Sequence, residues 1–359
     1  MFNQTASAKE SGLLASTSGE DLAHSLHALS RCLQYMDRRE DALTAIQEAA
    51  ELYRQLAADY PEAFDLYLAR ALHDLSNRLG DVGRREDSLE VILEAVELYR
   101  RLAADRPNSD LALSLNNLSV RLANVGHHEK GLQAIQEAIE LYRQLAADHP
   151  AVFNPDLARS LNTLSNRLAH LGHHEKSLQA IQGAVEIRRQ LAADRPAVFN
   201  PDLAISLNNL SLCLADVGHQ ADSLQAIQEA VELYRQLAAY RPATFNPDLA
   251  MSLNNLSPYL ANMGDREKSL LAIQEAIKLY RQLAADRPAV FNPDLASSLY
   301  NLSLRLADIG HQEDSLQVIQ EAVELYRKLA VNLPMAFNAK LQEAIEVHEW
   351  IVAHNPNFT

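Results

Sequence analysis

The sequence predicts an all-α protein, an α-solenoid of about seven helix–turn–helix repeats that is closed by a C-terminal capping helix. Three observations predict this class: evenly spaced glycines, amphipathic stretches on both sides of each glycine, and proline-containing connectors between the repeats. The composition agrees with a folded helical chain, because 48% of the 359 residues are hydrophobic and only 11 are glycine.

The recurring glycines set the length of a repeat. After one interval of 43 residues they recur every 46 residues, at Gly83, Gly126, Gly172, Gly218, Gly264 and Gly310. The short interval arises because the connector "DRPNSD" replaces the longer "DRPAVFNPD", and Asp37 holds the equivalent place in a first repeat. A fixed period of this kind is typical of proteins whose repeats bury their apolar faces against each other. The predicted repeats begin near residues 21, 67, 110, 156, 202, 248 and 294.

The fourth repeat shows how each repeat forms two helices. Asn154 and Pro155 suit the N-cap and the first position of helix A, and Gly172 suits its end. Helix B follows and ends before Pro196. Both helices carry one apolar stripe at helical spacing, so each must pack against the other and against the next repeat. The stripes are Leu157, Leu161, Leu164 and Leu168 in helix A, and Leu178, Ile181, Val185 and Leu191 in helix B.

The two ends of the chain are predicted to lie outside the repeats. Residues 1–20 are interpreted as a flexible tail, residues 21–338 as the solenoid, and residues 339–359 as a capping helix and tail. The capping helix, from Lys340 to about His354, copies only the start of a repeat and would cover the last apolar face.

Large and small residues alternate in a fixed pattern within each repeat. In the third repeat they are Leu115, Leu118, Ser119, Leu122, Gly126, Gly131, Ile135 and Ala138, and the small residues Ser119, Gly131 and Ala138 predict close helix crossings. This set resembles the tetratricopeptide repeat, and the added phrases "LNNL" and "EA.ELYR" are similar to the long repeats of kinesin light chains and of fungal and bacterial multidomain proteins. The resemblance implies a right-handed superhelix whose concave surface is formed by the A helices and binds a protein or peptide.

Composition and motifs exclude several other functions. The formal charge of −15 argues against nucleic acid or an anionic membrane as the main partner, because both require a surplus of Lys and Arg on one face. The sequence contains no phosphate loop, dinucleotide fingerprint or nucleophile elbow, so we expect no enzyme activity and no cofactor. Two cysteines, no secretion signal and no long apolar run predict a cytoplasmic location.

Paired histidines occur in two "GHHEK" turns, at His127/His128 and His173/His174. Equivalent turns of neighbouring repeats are expected to lie on the order of 10 Å apart. This distance is too long for shared metal ligands, so we predict exposed turn histidines and no metal site.

The outward-facing positions of helix A predict a peptide-binding groove. Asn117 lies roughly 150° around its helix from the leucine stripe, whereas Asn116 lies roughly 110° away and is expected to bond to a neighbouring repeat. Asparagine offers a donor and an acceptor to an extended peptide backbone, and aliphatic side chains between them would form pockets. The predicted groove residues are Arg70, Asn77, Leu113, Asn117, Val120, Arg159, Ile205, Asn209, Leu212, Asp216, Met251, Asn255, Asn301, Leu304 and Asp308.

Two interpretations of function stay open. The first is a non-enzymatic scaffold that binds a partner protein in this groove, whose early half is more basic and whose late half is more apolar. The second is a regulatory or sensor region of a larger signalling protein with an NTPase-like or caspase-like domain. For the asparagines, hydrogen-bond ladders between repeats are the alternative to peptide contact. The sequence does not determine the oligomeric state.

Four residues depart from the repeat pattern. Pro258 lies deep in a helix A and is expected to bend it. The fourth repeat carries Thr163, Gly183 and Arg188 where other repeats mostly carry Asn, Glu and Tyr. Glycine inside a helix is expected to cost about 1 kcal/mol relative to alanine.

Overall fold

The computed structural model describes the backbone of residues 2–103 and 107–354, and their side chains from residue 19 onward. Fifteen α-helices follow one another through these ranges; odd-numbered helices are called A helices below, and even-numbered ones B helices. Their bounds are α1 Phe2–Tyr35, α2 Arg39–Asp59, α3 Pro61–Asp81, α4 Arg85–Ala103, α5 Ser109–Asn124, α6 His128–Asp148, α7 Pro150–His170, α8 His174–Asp194, α9 Pro196–Asp216, α10 Gln220–Tyr240, α11 Pro242–Asn262, α12 Arg266–Asp286, α13 Pro288–Asp308, α14 Gln312–Asn332 and α15 Pro334–Ala353.

The chain divides into two compact units, an N-terminal unit, Met1–Ile187, and a C-terminal unit, Arg188–Thr359. In the N-terminal unit, each helix from α1 to α7 packs against its neighbours in sequence; in the C-terminal unit, the same holds from α9 to α15. Consecutive A helices also contact each other, for example α5 with α7 and α11 with α13. The predicted all-α solenoid class is confirmed. None of the helices in the described ranges combines the length and apolarity that crossing a bilayer requires.

Several A helices begin earlier than predicted. Helix α7 starts at Pro150, and Pro155 lies inside it instead of at its first position. Helices α9, α11 and α13 likewise begin at the first proline of their connectors, at Pro196, Pro242 and Pro288. Pro150 removes no intrahelical bond at the first position, and Pro155 removes only one near the helix start. The predicted connector "PAVFN" is therefore an additional turn of helix.

The turns between A and B helices depend on the recurring glycines. All six have positive φ, from 76° to 86°, and Asp37, which replaces glycine in the first repeat, has φ of 56°. At the end of α7, His173 N donates to Leu168 O, so the chain leaves the helix through Gly172. Since positive φ favours glycine, the predicted role of these residues as helix ends is confirmed.

Paired A and B helices cross closely at the small residues. Ser76 Oγ donates to Ser88 O at 2.8 Å, and Ser88 Oγ donates to Ser76 O at 2.7 Å. The B-helix serine makes the same bond in the pairs Ser165/Ser177, Ser211/Ser223, Ser257/Ser269 and Ser303/Ser315. In the third repeat, a Cβ on Gly131 would lie 2.9 Å from Ser119 O, so glycine permits a tighter crossing. The predicted close crossings are present, and they bury bonded hydroxyls.

A ladder of ion pairs joins successive B helices, and the sequence analysis missed it. An arginine of one B helix pairs with a glutamate of the next, in Arg54–Glu94, Arg100–Glu137, Arg189–Glu229, Arg235–Glu275 and Arg281–Glu321. Gly183 stands where the other repeats have this glutamate, and in the described part of the chain Arg143 has no carboxylate partner. The departure at Gly183 therefore interrupts the ladder.

Arg188 also has a structural account. It stands at a position where other repeats bury a tyrosine, such as Tyr142 and Tyr234. The Arg188 side chain is only 5% exposed. Its guanidinium donates to Asp202 O at 2.6 Å and to Ser206 Oγ, so the buried charge is compensated by polar groups of α9.

The backbone at the N-terminus differs from the predicted tail. Helix α1 begins at Phe2, so residues 2–20 have helical backbone. This segment contains no proline and several good helix formers, including Ala, Lys, Glu and Leu. The side chains of residues 1–18 lie outside the described part of the chain, and the flexibility of the segment stays a prediction.

Helix α15 is a longer version of the predicted capping helix. It begins at Pro334, six residues before Lys340, because Pro334 takes the first helical position as in the other A helices. Where α13 has the buried Leu302 and Ser303, α15 carries His348 and Glu349. These positions are therefore more polar in α15 than in α13, and the capping role of α15 stays a prediction.

Candidate peptide-binding face

The predicted groove residues all lie on A helices, on a surface called the helix-A face below. None of them is buried. The exposed ones are Arg70, Arg159, Ile205, Leu212, Asp216, Met251 and Asp308. The half-buried ones are Asn77, Leu113, Asn117, Val120, Asn209, Asn255, Asn301 and Leu304. Helical phase therefore locates accessible positions in both units, although the binding role of these residues stays a prediction.

In the N-terminal unit, polar side chains of this face bond to the preceding A helix. Asn117 on α5 donates to Asn77 Oδ1 on α3 at 3.2 Å and to His73 Nε2 at 3.1 Å. Asp74 on α3 accepts from His27 Nε2 on α1 at 2.7 Å. Ladders between repeats, the alternative left open for the asparagines, are thus present at Asn117.

His73 is the most enclosed member of this network. It is 8% exposed; its Nδ1 lies 2.8 Å from Ser114 Oγ, and its Nε2 accepts from Asn117. A neutral ring with its proton on Nδ1 satisfies both contacts. Burial lowers the pKa of His73, and the nearby carboxylates of Asp74 and Asp110 oppose this lowering only in part. The network therefore depends on an uncharged imidazole.

The charged residues of the helix-A face in the N-terminal unit are paired. The ion pairs join Arg70 to Asp110 at 3.1 Å and Arg159 to Asp156 at 2.6 Å. Burial alone would raise the pKa of Asp74, but the hydrogen bond and charge of His27 lower it below its ordinary value. The basic character predicted for the early half of the groove is therefore largely neutralised by carboxylates of the same surface.

In the C-terminal unit, the same face exposes aliphatic side chains. Ile205 and Leu212 on α9 are 42% and 45% exposed, and Met251 on α11 is 42% exposed. Leu304, on α13, is half-buried at the position equivalent to Leu212. We call these four residues the apolar row. Single exposed aliphatic residues are ordinary, but several at equivalent positions of successive helices are typical of binding surfaces.

Asparagines of the C-terminal unit also bond to neighbouring A helices. Asn208, which is equivalent to Asn116 and 3% exposed, donates to Ser252 Oγ at 2.9 Å. The predicted bond of this position to a neighbouring repeat is confirmed. Asn301 donates to Asn254 Oδ1 at 3.2 Å, so the second asparagine of the motif also contacts the preceding A helix.

Pro258 does not interrupt its helix. Helix α11 continues through it to Asn262, and the proline itself is exposed on the helix-A face. The adjacent Tyr259 is buried, and its hydroxyl donates to Ser211 O at 3.5 Å, a long bond to the preceding A helix. Pro258 is therefore a further exposed apolar residue of the helix-A face.

The family model for the tetratricopeptide repeat matches more than half of the chain, over residues 68–107, 111–151, 157–195, 249–287 and 295–330. The chain belongs to the tetratricopeptide repeat family. Each matched segment covers one A helix and the B helix that follows it, such as α5 with α6. The model for anaphase-promoting complex subunit 5 matches residues 7–60 and 198–241, less than a third of the chain. A search of curated proteins finds no matching sequence.

Solved structures with the same fold share little sequence with this tetratricopeptide repeat protein. BtubC (BKLC) from P. vanneervenii is 16% identical with a TM-score of 0.57, over 68% of this chain and 92% of that one. A STAND protein with a tetratricopeptide repeat sensor, PH0952 from Pyrococcus horikoshii, is 14% identical with a TM-score of 0.63. That alignment covers 92% of this chain and 44% of the STAND protein.

A third structure contains the nearly identical repeats of a putative kinesin light chain from Podosopora anserina. It is 16% identical with a TM-score of 0.45, over 60% of this chain and 96% of that one. At these identities, the likeness to BtubC and to the STAND protein establishes the tetratricopeptide repeat fold alone.

Proposed function

We propose that this tetratricopeptide repeat protein is a non-enzymatic scaffold that binds an extended segment of a partner protein on the helix-A face. The observation that carries the proposal is the apolar row of the C-terminal unit, which exposes Ile205, Leu212 and Met251. Tetratricopeptide repeats generally mediate protein–protein interaction, which supports a protein as the partner. The groove residues of the N-terminal unit stay a prediction; the polar ones, such as Asn117 and Arg70, are already engaged in the contacts described above.

The chemistry of the apolar row favours an extended segment with spaced apolar side chains. Burying an aliphatic side chain contributes about 25 cal/mol per Å² of apolar surface removed from water. On the same face, Asn301 carries an amide with two donor hydrogens and two acceptor lone pairs, more than its one bond to Asn254 uses. A peptide backbone can therefore be held by amides while its side chains enter apolar contacts.

A peptide-array screen with the purified chain, followed by direct binding of the best peptide, tests the proposal. Leu212→Asp places a charge in the apolar row, and we expect it to weaken binding by about tenfold or more. Leu271→Asp is the matched control, because Leu271 is 59% exposed on the B helix α12. An equal effect of the two variants, or no peptide that binds, contradicts the proposal.

A second candidate function is the sensor region of a larger signalling protein. The STAND protein with a tetratricopeptide repeat sensor supports it, because this chain aligns along 92% of its length with less than half of that protein. Sequencing the full transcript tests this candidate. An NTPase-like or caspase-like domain in the same reading frame is the expected result, and a reading frame that encodes the repeats alone contradicts it.

A further inference from the structure

Two histidines from neighbouring repeats meet in the N-terminal unit. His128 is the first residue of α6, and His170 is the last residue of α7. Their Nε2 atoms form a hydrogen bond of 3.2 Å, in which one ring donates and the other accepts, and their ring centroids are 4.1 Å apart with 50° between the planes. The predicted separation of about 10 Å applies to equivalent turns; His170 lies in an A helix, so it reaches the turn of the preceding repeat.

Other repeats have different residues at these two places. The described B helices otherwise begin with Arg39, Arg85, His174, Gln220, Arg266 or Gln312. The A helices with the same end position finish with Asp81, Asn124, Asp216, Asn262 or Asp308. Among the described helices, the step from α6 to α7 is therefore the one that combines two imidazoles. The other steps combine an arginine, a glutamine or a single histidine with a carboxylate or an amide.

The separation of the two nitrogens fits a shared metal ion. A tetrahedral Zn²⁺ with bonds of about 2.0–2.1 Å to imidazole holds two ligand nitrogens about 3.3 Å apart. His170 is exposed and His128 half-buried, and a cavity of about 290 Å³ opens beside His128, lined also by Glu129 and Leu171. Solvent can therefore reach each ring and supply further ligands.

We infer that His128 and His170 bind one divalent first-row transition ion, such as Zn²⁺, through their Nε2 atoms, with water completing its coordination. In the described ranges no group of three or more His, Cys, Asp or Glu side chains is arranged to hold a metal. Two protein ligands with open positions give weaker, reversible binding than a closed structural site. Bound metal would join the third repeat to the fourth and stabilise the folded chain as its concentration rises.

Zinc titration of the full chain after treatment with a chelator tests this site. The variants are His128→Gln and His170→Asn, because glutamine and asparagine stand at the equivalent places in Gln220 and Asn262 and should preserve the fold. We expect the wild type to bind one equivalent of Zn²⁺ and to gain thermal stability from it. Each variant should weaken this binding by about tenfold or more.

Two further variants make the result decisive. His311→Asp removes an exposed turn histidine outside the pair. Aspartate is chosen because Asp265 stands at the equivalent place in the preceding repeat, and this variant should bind zinc as the wild type does. The double variant of His128 and His170 should lose no more than either single variant, because both ligands serve one ion. Undiminished binding in the single variants, additive losses, or no zinc-dependent stabilisation of the wild type overturns the inference.

Discussion

The helix-A face differs between the two units, although the cores beneath it are built alike. In the N-terminal unit the polar side chains of this face are engaged, since Asn117 and Asp74 bond to the preceding A helix, and its aliphatic residues Leu113 and Val120 are half-buried. In the C-terminal unit it exposes Leu212 and Met251 at positions of the same pattern. The buried positions of a repeat preserve the scaffold, whereas its outward positions are free to vary. Under the proposed function, the difference between the faces, rather than the repetition, is the reason for assigning the partner to the C-terminal unit.

The largest predicted effect concerns the hydrophobic core, which is built alike in the two units. Leu115 and Leu207 occupy the same core position in the third and fifth repeats, and both are fully buried. Truncation of either to alanine should lower the free energy of unfolding by about 3 kcal/mol, through lost burial and the cavity left behind. Denaturant unfolding of Leu115→Ala and Leu207→Ala measures this. A cost that is large in one unit and negligible in the other would contradict a common core.

Restoring the ladder on the B helices should have a smaller, stabilising effect. Gly183→Glu should raise the free energy of unfolding by about 1 kcal/mol, because it improves helix propensity and gives Arg143 a partner. Gly183→Ala, whose Cβ would lie an ordinary 3.6 Å from Leu161 Cδ1, improves propensity alone. Added salt should reduce the gain in the glutamate variant but not in the alanine variant. A glutamate variant less stable than the wild type would contradict the ladder.

The polar network of the N-terminal unit should make stability depend on pH through His73. Burial lowers its pKa in the folded state, so below an unfolded pKa of about 6.5 the unfolded chain binds more protons. Its contribution to stability is therefore complete above this pH and is lost as the pH falls toward the folded pKa.

His73→Asn, which copies Asn116 of the next repeat, should flatten this dependence between about pH 7 and pH 5. Unfolding midpoints at successive pH values measure the slope, with the exposed His311→Asp as control. Equal slopes of stability against pH in His73→Asn and the wild type would show that His73 does not contribute to the pH dependence.

The smallest stability effect is expected on the apolar row itself. The triple variant Ile205→Arg, Leu212→Asn, Met251→Arg gives the C-terminal unit the residues that the second and fourth repeats carry at these places, such as Arg70 and Asn77. Because the three side chains are exposed, each change should alter the free energy of unfolding by no more than about 0.5 kcal/mol. Thermal unfolding checks this. A loss of stability as large as that of a core residue would show that these side chains pack within the fold and are not a free binding surface.

The repeated local signals were sufficient to predict much of the fold. The helix class, the turns at Gly172 and its equivalents, and the close crossings at Ser119 and Gly131 each depend on residues within one repeat. The segment "PAVFN" was misjudged because two prolines five residues apart indicate a connector locally, while packing against the preceding B helix favours a further turn.

What could not be predicted depends on the alignment of one repeat against the next. Asn117 points away from its own repeat, as the helical phase indicated, yet it bonds to His73 and Asn77 on the preceding A helix. The pairs of Arg and Glu were visible as recurring letters, but their contact requires a specific offset between B helices. His128 and His170 meet for the same reason, since a helix start is brought against a helix end of the next repeat.

The most direct test is the affinity of the array-selected peptide for the triple variant of the apolar row. We predict that the triple variant weakens binding by about a hundredfold, while Arg70→Ala with Arg159→Ala in the N-terminal unit changes it by no more than about threefold. Unchanged affinity in the triple variant, with a large loss on removing Arg70 and Arg159, would place the partner on the polar face and contradict the account.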